Sequence, residues 1–263
     1  MMQFEGPLVT TTKAPPVLQM LANDLRWRLV SILARSDYQV HELVHMVGEP
    51  ANLVSYHLKQ LKSGWLVTER RSSADRRDIY YSLDLERVHT LFTAAGEALH
   101  PSFSTAPMIE QRPFQWRTNP PVRVLFLCTH NSARSQMAEA ILRNASGGQL
   151  EVFSAGIEPG MIRPEAVRVM ADLGISMAGH TSKHLDQFRG EHFDYVITVC
   201  DRVREACPVF PDNPEHIHWS LQDPAAENDA AKREHAFTET ARRLVTRSRF
   251  LVTRIEHEQA RSA

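Results

Sequence analysis

At 263 residues the chain is long for one compact domain and comfortable for two. Hydrophobic residues make up 43%, enough to bury real cores, and charged residues 23%, an ordinary share for a soluble protein. A formal net charge of −1 excludes a globally basic nucleic-acid binder, so any such contact has to come from a local patch, and no apolar run approaches the ~20 residues needed to span a bilayer.

The first sixteen residues are polar and rich in Pro and Thr. With no basic stretch followed by an apolar one, they read as a loose arm and not as a signal peptide, so the expected location is cytoplasmic. From Val17 to about His100 the pattern is helical, apart from one short strand pair. Residues 101–121 are Pro-rich and without periodicity, a linker. Strand and helix then alternate. Val122–Cys128, apolar but for Arg123, is a run of the kind buried on both faces. Helical patterns follow at 135–146, 163–173 and about 229–257, and strand-like runs at 151–155, 195–200 and 217–219. This rhythm predicts an α/β doubly wound domain over 122–258 with a four-stranded parallel sheet.

Within the first half, Val40, Leu43, Val44 and Val47 fall on one helical face. Gly48-Glu49-Pro50 break that helix, and Asn52 is placed to cap a second one whose Leu53, Leu58 and Leu61 face inward. Its other face presents Ser55, Tyr56, His57, Lys59, Gln60 and Lys62, donors suited to base edges and phosphates. Residues 65–71 and 76–83 alternate like two strands around a polar loop, a β-wing. Between Asn52 and Arg77 six Lys/Arg face two Asp/Glu, a local excess of four positive charges in a nearly neutral chain. Lys59, Lys62, Arg76 and Arg77 are the expected phosphate contacts.

The order of helix, turn, SYHLKQLKSGWL and wing resembles the ArsR-type metalloregulators over 17–100. The resemblance implies a mainly-α winged helix-turn-helix that binds operator DNA as a homodimer, paired through its first and last helices, at about 17–34 and 85–99. Members that sense arsenite carry a cysteine pair near the first of the two reading helices; this half has no cysteine. Of the four positions used by zinc-sensing members, His89 and His100 are present, but Arg87 and Phe103 occupy the other two, so surface histidines are the better reading. His41-Glu42-Leu43-Val44-His45 matches the zinc-protease pattern HExxH, yet it lies in the first helix of a helix-turn-helix with no third ligand downstream. No metal site and no bound cofactor are expected.

All three cysteines, Cys128, Cys200 and Cys207, are in the second half. An odd, sparse set in a reducing compartment is buried packing or thiol chemistry, not a disulfide framework. The run Cys128-Thr129-His130-Asn131-Ser132-Ala133-Arg134-Ser135, between a buried strand and a helix, favours chemistry. Such a loop turns its backbone N–H groups onto a tetrahedral oxyanion at a helix N-terminus. The same field is expected to lower the Cys128 thiol pKa and make it a nucleophile. Arg134 can grip two oxygens, Ser135 can bond the thiolate, and Asn131 is expected to hold the loop open through backbone contacts.

These residues, with FSAGIEP at 153–159, TSKHLD and FDYVITVCD, resemble the low-molecular-weight phosphatase fold and, within it, the arsenate reductases. The resemblance implies that Asp223, before Pro224, is the general acid. It also implies a relay in which Cys128 attacks arsenate, Cys200 displaces arsenite to leave a Cys128–Cys200 disulfide, and Cys207 takes over Cys200 for an external reductant such as thioredoxin. In some members a monovalent cation sits near the loop. Here Glu139 and Ser154 match ligands, but Lys183 stands where an acidic ligand would be, so its ammonium is expected to replace the ion. Two alternatives stay open. One is a protein tyrosine phosphatase fused to a regulator. The other is a non-catalytic repressor whose thiols capture arsenite, a soft ion that favours thiolates.

Overall fold

The computed structural model describes residues 13–100, 103, 121–206 and 210–261. Their buried apolar side chains form two separate cores, one before residue 100 and one after residue 121. The expected linker at 101–121 falls almost wholly outside the described residues.

The first core is built by α1 (Pro16–Leu21), α2 (Asp24–Leu33), β1 (Tyr38–Gln39), α3 (Val40–Val47), α4 (Ala51–Ser63), β2 (Val67–Arg71), β3 (Ile79–Leu83) and α5 (Leu85–Leu99). The single helix expected over 17–34 is two, because Asn23 leaves helical geometry and its Oδ1 accepts from Arg26 N at 3.1 Å, capping α2. A capping box opens α3, with Gln39 N donating to Glu42 Oε2 at 2.7 Å. At Gly48, φ of 69° ends it in a left-handed turn that glycine adopts without steric cost.

Pro50, not Asn52, is the N-cap of α4, and Asn52 lies exposed in its first turn. The buried stripe is Val54, His57, Leu58 and Leu61, at i, i+3, i+4 and i+7, whereas Leu53, expected inside, is exposed. β2 and β3 form an antiparallel pair, Val67 opposite Leu83 and Arg71 opposite Ile79. A third strand, β1, extends the sheet to the order β1-β3-β2. Two residues long, it carries no periodic signal.

The second core surrounds a four-stranded parallel sheet in the order β5-β4-β6-β7. Its elements are β4 (Arg123–Cys128), α6 (Arg134–Ala145), β5 (Glu151–Gly156), α7 (Pro164–Asp172), β6 (Tyr195–Thr198), α8 (Asp201–Ala206), β7 (Glu215–His218) and α9 (Ala230–Arg261). β4 and β6 are buried almost throughout, as the apolar runs at 124–128 and 195–197 require. β4 pairs with β5 on one side and β6 on the other. The loops leaving β4 and β6 thus emerge together at the carboxyl edge, where the chain switches direction across the sheet and open α/β sheets bind ligands. β6 ends at Thr198, two residues before Cys200, which lies in the connection to α8.

Candidate active site

The loop between β4 and α6 curls around the sulfur of Cys128. Cys128 Sγ lies 2.8 Å from Ser135 Oγ and accepts from Asn131 N at 3.1 Å. Asn131, buried and at φ of 44°, is the peg of the loop. Its Nδ2 donates to Ser135 Oγ at 2.9 Å and to Ser154 Oγ at 2.8 Å. Its Oδ1 accepts from Gln136 Nε2 and from Lys183 N, both at 2.8 Å. The side chain, more than the backbone contacts expected of it, fixes the loop, and these four bonds repay the left-handed conformation that few non-glycine residues adopt.

Behind Asn131 the chain of contacts continues. Ser154 Oγ donates to Glu139 Oε2 at 2.6 Å, and Lys183 Nζ stands 3.5 Å from the same oxygen. The ammonium thus faces the carboxylate that the resemblance associates with a bound cation. Gly156 closes the seam from β5: a Cβ there would stand 2.7 Å from Thr129 O and 2.8 Å from Asn131 N, both backbone atoms. His130 is exposed, with Nδ1 3.1 Å from Glu158 O, whereas Thr129 and Ala133 are buried and Ser132 partly so.

Burial pushes the Cys128 thiol up from its ordinary value; Arg134 and the Ser135 hydrogen bonds pull it down, and the neighbouring Cys200 pushes it up again. The expectation of a lowered thiol is thus overturned for the free pocket. The cationic and hydrogen-bonding groups are present, but desolvation of a fully enclosed sulfur outweighs them.

Arg134 is itself buried, its Nη1 donating to Leu221 O at 2.9 Å and its Nη2 3.3 Å from Asp223 Oδ2. Asp223 also accepts from Ala225 N at 3.2 Å, capping a short 3₁₀ turn at Pro224–Ala226. It therefore combines a structural bond with a place beside the Arg134 guanidinium. Cys200 is buried, its Sγ 3.4 Å from Thr129 Oγ1, which sets a second thiol against the loop. Cys207 lies outside the described residues.

The expected DNA-facing residues are elsewhere. Asn52, Ser55, Tyr56, Lys59 and Lys62 are exposed along α4, and Arg76 and Arg77 on the β2–β3 turn. His57 is the exception: it packs inward, burial lowers its pKa, and it presents nothing to a base edge. Of the HExxH residues, His41 and His45 are exposed while Glu42 is spent on the α3 cap and on Arg204. His89 sits against Phe250 and His100 against Phe103. Among the described residues no cluster of three His, Cys, Asp or Glu side chains could hold a metal ion.

A parallel α/β sheet whose central strand delivers a cysteine into a loop closed by Arg and Ser defines a cysteine-based, oxyanion-binding protein. The family described as low molecular weight phosphotyrosine protein phosphatase matches residues 123–261, and the chain belongs to it. The chain is 42% identical over 102 residues to an arsenate reductase of Halalkalibacterium halodurans, covering 39% of this chain and 73% of that protein. To an arsenate reductase of Bacillus subtilis it is 36% identical over 119 residues, covering 45% and 86%. A solved arsenate reductase in the phosphate-binding state is similar at 28% identity and a TM-score of 0.43, over 51% of this chain and 98% of that one.

Proposed function

We propose that the second half of the chain is a thiol-dependent arsenate reductase and that the first half is a winged helix that binds operator DNA as a homodimer and regulates arsenic resistance. The observation that carries the enzymatic reading is the second buried thiol. Cys200 lies against Thr129, next to the nucleophile, and near enough for its charge to raise the Cys128 thiol. A phosphatase needs one thiol and a water; a reductase must also give two electrons to arsenic, and a second thiol beside the first lets the pair supply them by forming a disulfide.

Arsenate is held by the loop N–H groups, the α6 N-terminus and Arg134. Cys128 Sγ forms a bond to arsenic, and an arsenic-bound oxygen leaves as water, with Asp223 supplying a proton. The Cys200 thiolate then attacks Cys128 Sγ. As the S–S bond forms, the S–As bond breaks and its electron pair stays on arsenic, so two thiols are oxidised and As(V) becomes As(III). Cys207, on the resemblance, exchanges onto Cys200 and frees Cys128; an external dithiol such as thioredoxin reduces the Cys200–Cys207 bridge.

The test is the purified chain with arsenate, a thioredoxin system and NADPH. NADPH consumption that depends on arsenate, and that Cys128→Ser abolishes, is the expected result. Hydrolysis of an aryl phosphate with no arsenate-dependent oxidation of NADPH would make the protein a phosphatase. Arsenite bound to the thiols with neither turnover would make it a sensor.

A further inference from the structure

The two halves meet through polar side chains, and these converge on the two segments that carry the reactive groups. Asp201, immediately after Cys200, is fully buried. Within the second half its partners are neutral donors: Ser220 Oγ at 3.0 Å and His218 Nε2 at 3.2 Å from Oδ1, and burial lowers the pKa of that histidine. Its counter-charge comes from the first half. Arg70, on β2, sets Nη2 2.7 Å from Oδ1 and 2.6 Å from Oδ2, while Ser73 donates N–H and Oγ–H to Oδ2 at 2.7 and 2.9 Å. Burial alone would raise the carboxyl; the bonds from His218, Arg70 and Ser73 outweigh it and hold it ionised, far below the usual carboxylate range.

Arg70 also donates to Ser220, one residue before Leu221, whose carbonyl holds Arg134. That second segment has independent anchors in the first half: Ser220 N donates to Asp37 Oδ2 at 2.6 Å, and His218 N to Ser36 Oγ at 2.8 Å. Without Arg70, the Ser220–Asp223 segment keeps its Asp37 bond, but Asp201 is left as a buried anion whose remaining partners are all neutral. A buried charge deprived of its partner is strongly destabilised where it stands, and the backbone that carries it is the one next to Cys200.

We propose that Arg70, in the wing of the first half, is a positioning residue for the second thiol: by pairing with Asp201 it holds Cys200 where it can reach Cys128. The wing is thereby part of the enzyme's working structure. The reductase reading of the site underlies this role, since a hydrolase makes no use of Cys200. Attack on the oxyanion, which needs Cys128, Arg134 and Asp223, does not depend on the Arg70–Asp201 pair; formation of the disulfide does.

The test compares the full chain with Arg70→Met, which keeps the apolar stem, and Arg70→Lys, which restores a single charge. Arg70→Met should lower arsenate turnover about ten- to a hundredfold, the range for misplacing a reacting group by an ångström or so, and leave aryl phosphate hydrolysis within about twofold. Arg70→Lys should recover part of the loss. Equal falls in both activities, unchanged arsenate turnover, or no recovery with lysine would overturn the proposal. A second measurement is independent of arsenate: hydrogen peroxide oxidises Cys128 and Cys200 to a disulfide and is reduced to water, and mass spectrometry follows that bridge. It should form more slowly in Arg70→Met than in the unaltered chain; equal rates also overturn the proposal. If the unaltered chain consumes no arsenate, the reductase reading fails, and the peroxide rates alone decide whether Arg70 places Cys200.

Discussion

The sulfur of Cys128 carries opposed influences, and their balance is measurable. Burial is the largest and raises the thiol; Arg134 and Ser135 lower it. The free protein should therefore be alkylated by iodoacetamide with a pH midpoint above the ~8.5 of an ordinary cysteine. Ser135→Ala removes a hydrogen bond that favours the thiolate, so its midpoint should lie higher still. A midpoint near neutrality in the unaltered chain would show that the loop field wins over desolvation. Asp223 makes a second residue-level prediction. If it delivers the proton to the leaving oxygen, Asp223→Asn should slow aryl phosphate hydrolysis by roughly 10²–10⁴-fold. A role confined to its bond with Ala225 N would appear instead as a lower melting temperature with turnover preserved. Cys128, Asn131, Arg134 and Ser135 could be recognised in the sequence because one short run of residues holds them all. The sign of the thiol shift could not, because it depends on how completely other segments enclose the sulfur.

Among the elements, β4 and its loop are held by β5 through a seam that only glycine fits. A methyl group at Gly156 would meet the backbone of Thr129 and Asn131 at 2.7 and 2.8 Å, and neither atom can turn aside as a side chain would. Gly156→Ala should therefore push the loop outward and lower both arsenate and aryl phosphate turnover by about a hundredfold, with the far-ultraviolet circular dichroism unchanged. Near-normal rates in that variant would mean that the loop tolerates a shift of several tenths of an ångström. The long apolar strands and amphipathic helices were legible because burial on both faces, or on one stripe, leaves a periodic mark. The short elements β1 and α8 were not, since pairing with β3 and contacts from the first half set them. In α4 the displacement has a local cause. At about 100° per residue Val54, His57, Leu58 and Leu61 share one stripe, and Leu53 falls at its edge, where it stays exposed.

For the whole molecule, the charged β2–β3 hairpin divides into two parts, which sequence alone could not separate because Arg70 and Asp201 lie more than a hundred residues apart. Arg70 is committed to Asp201. Arg76 and Arg77 remain on the exposed turn, Arg77 paired with Asp75 at 89% side-chain exposure, a pairing that costs little to exchange for a phosphate. If the first half binds DNA, these two arginines together with Lys59 and Lys62 supply its phosphate contacts. Each contact released from the complex should lower the slope of log K against log salt by roughly 1. Arg76→Ala with Arg77→Ala should thus weaken binding to every sequence and flatten the salt dependence by about 2. Arg70→Met should leave the slope where it was, because its guanidinium faces the enzyme. Ser55→Ala should relax the choice of sequence, whereas His57→Ala should lower the melting temperature and leave that choice intact. Footprints of a dimer should show half-sites about one helical turn apart, or a multiple of it. Binding that ignores salt, or no binding to any upstream DNA, would reduce the wing to the clamp that Arg70 makes on Asp201.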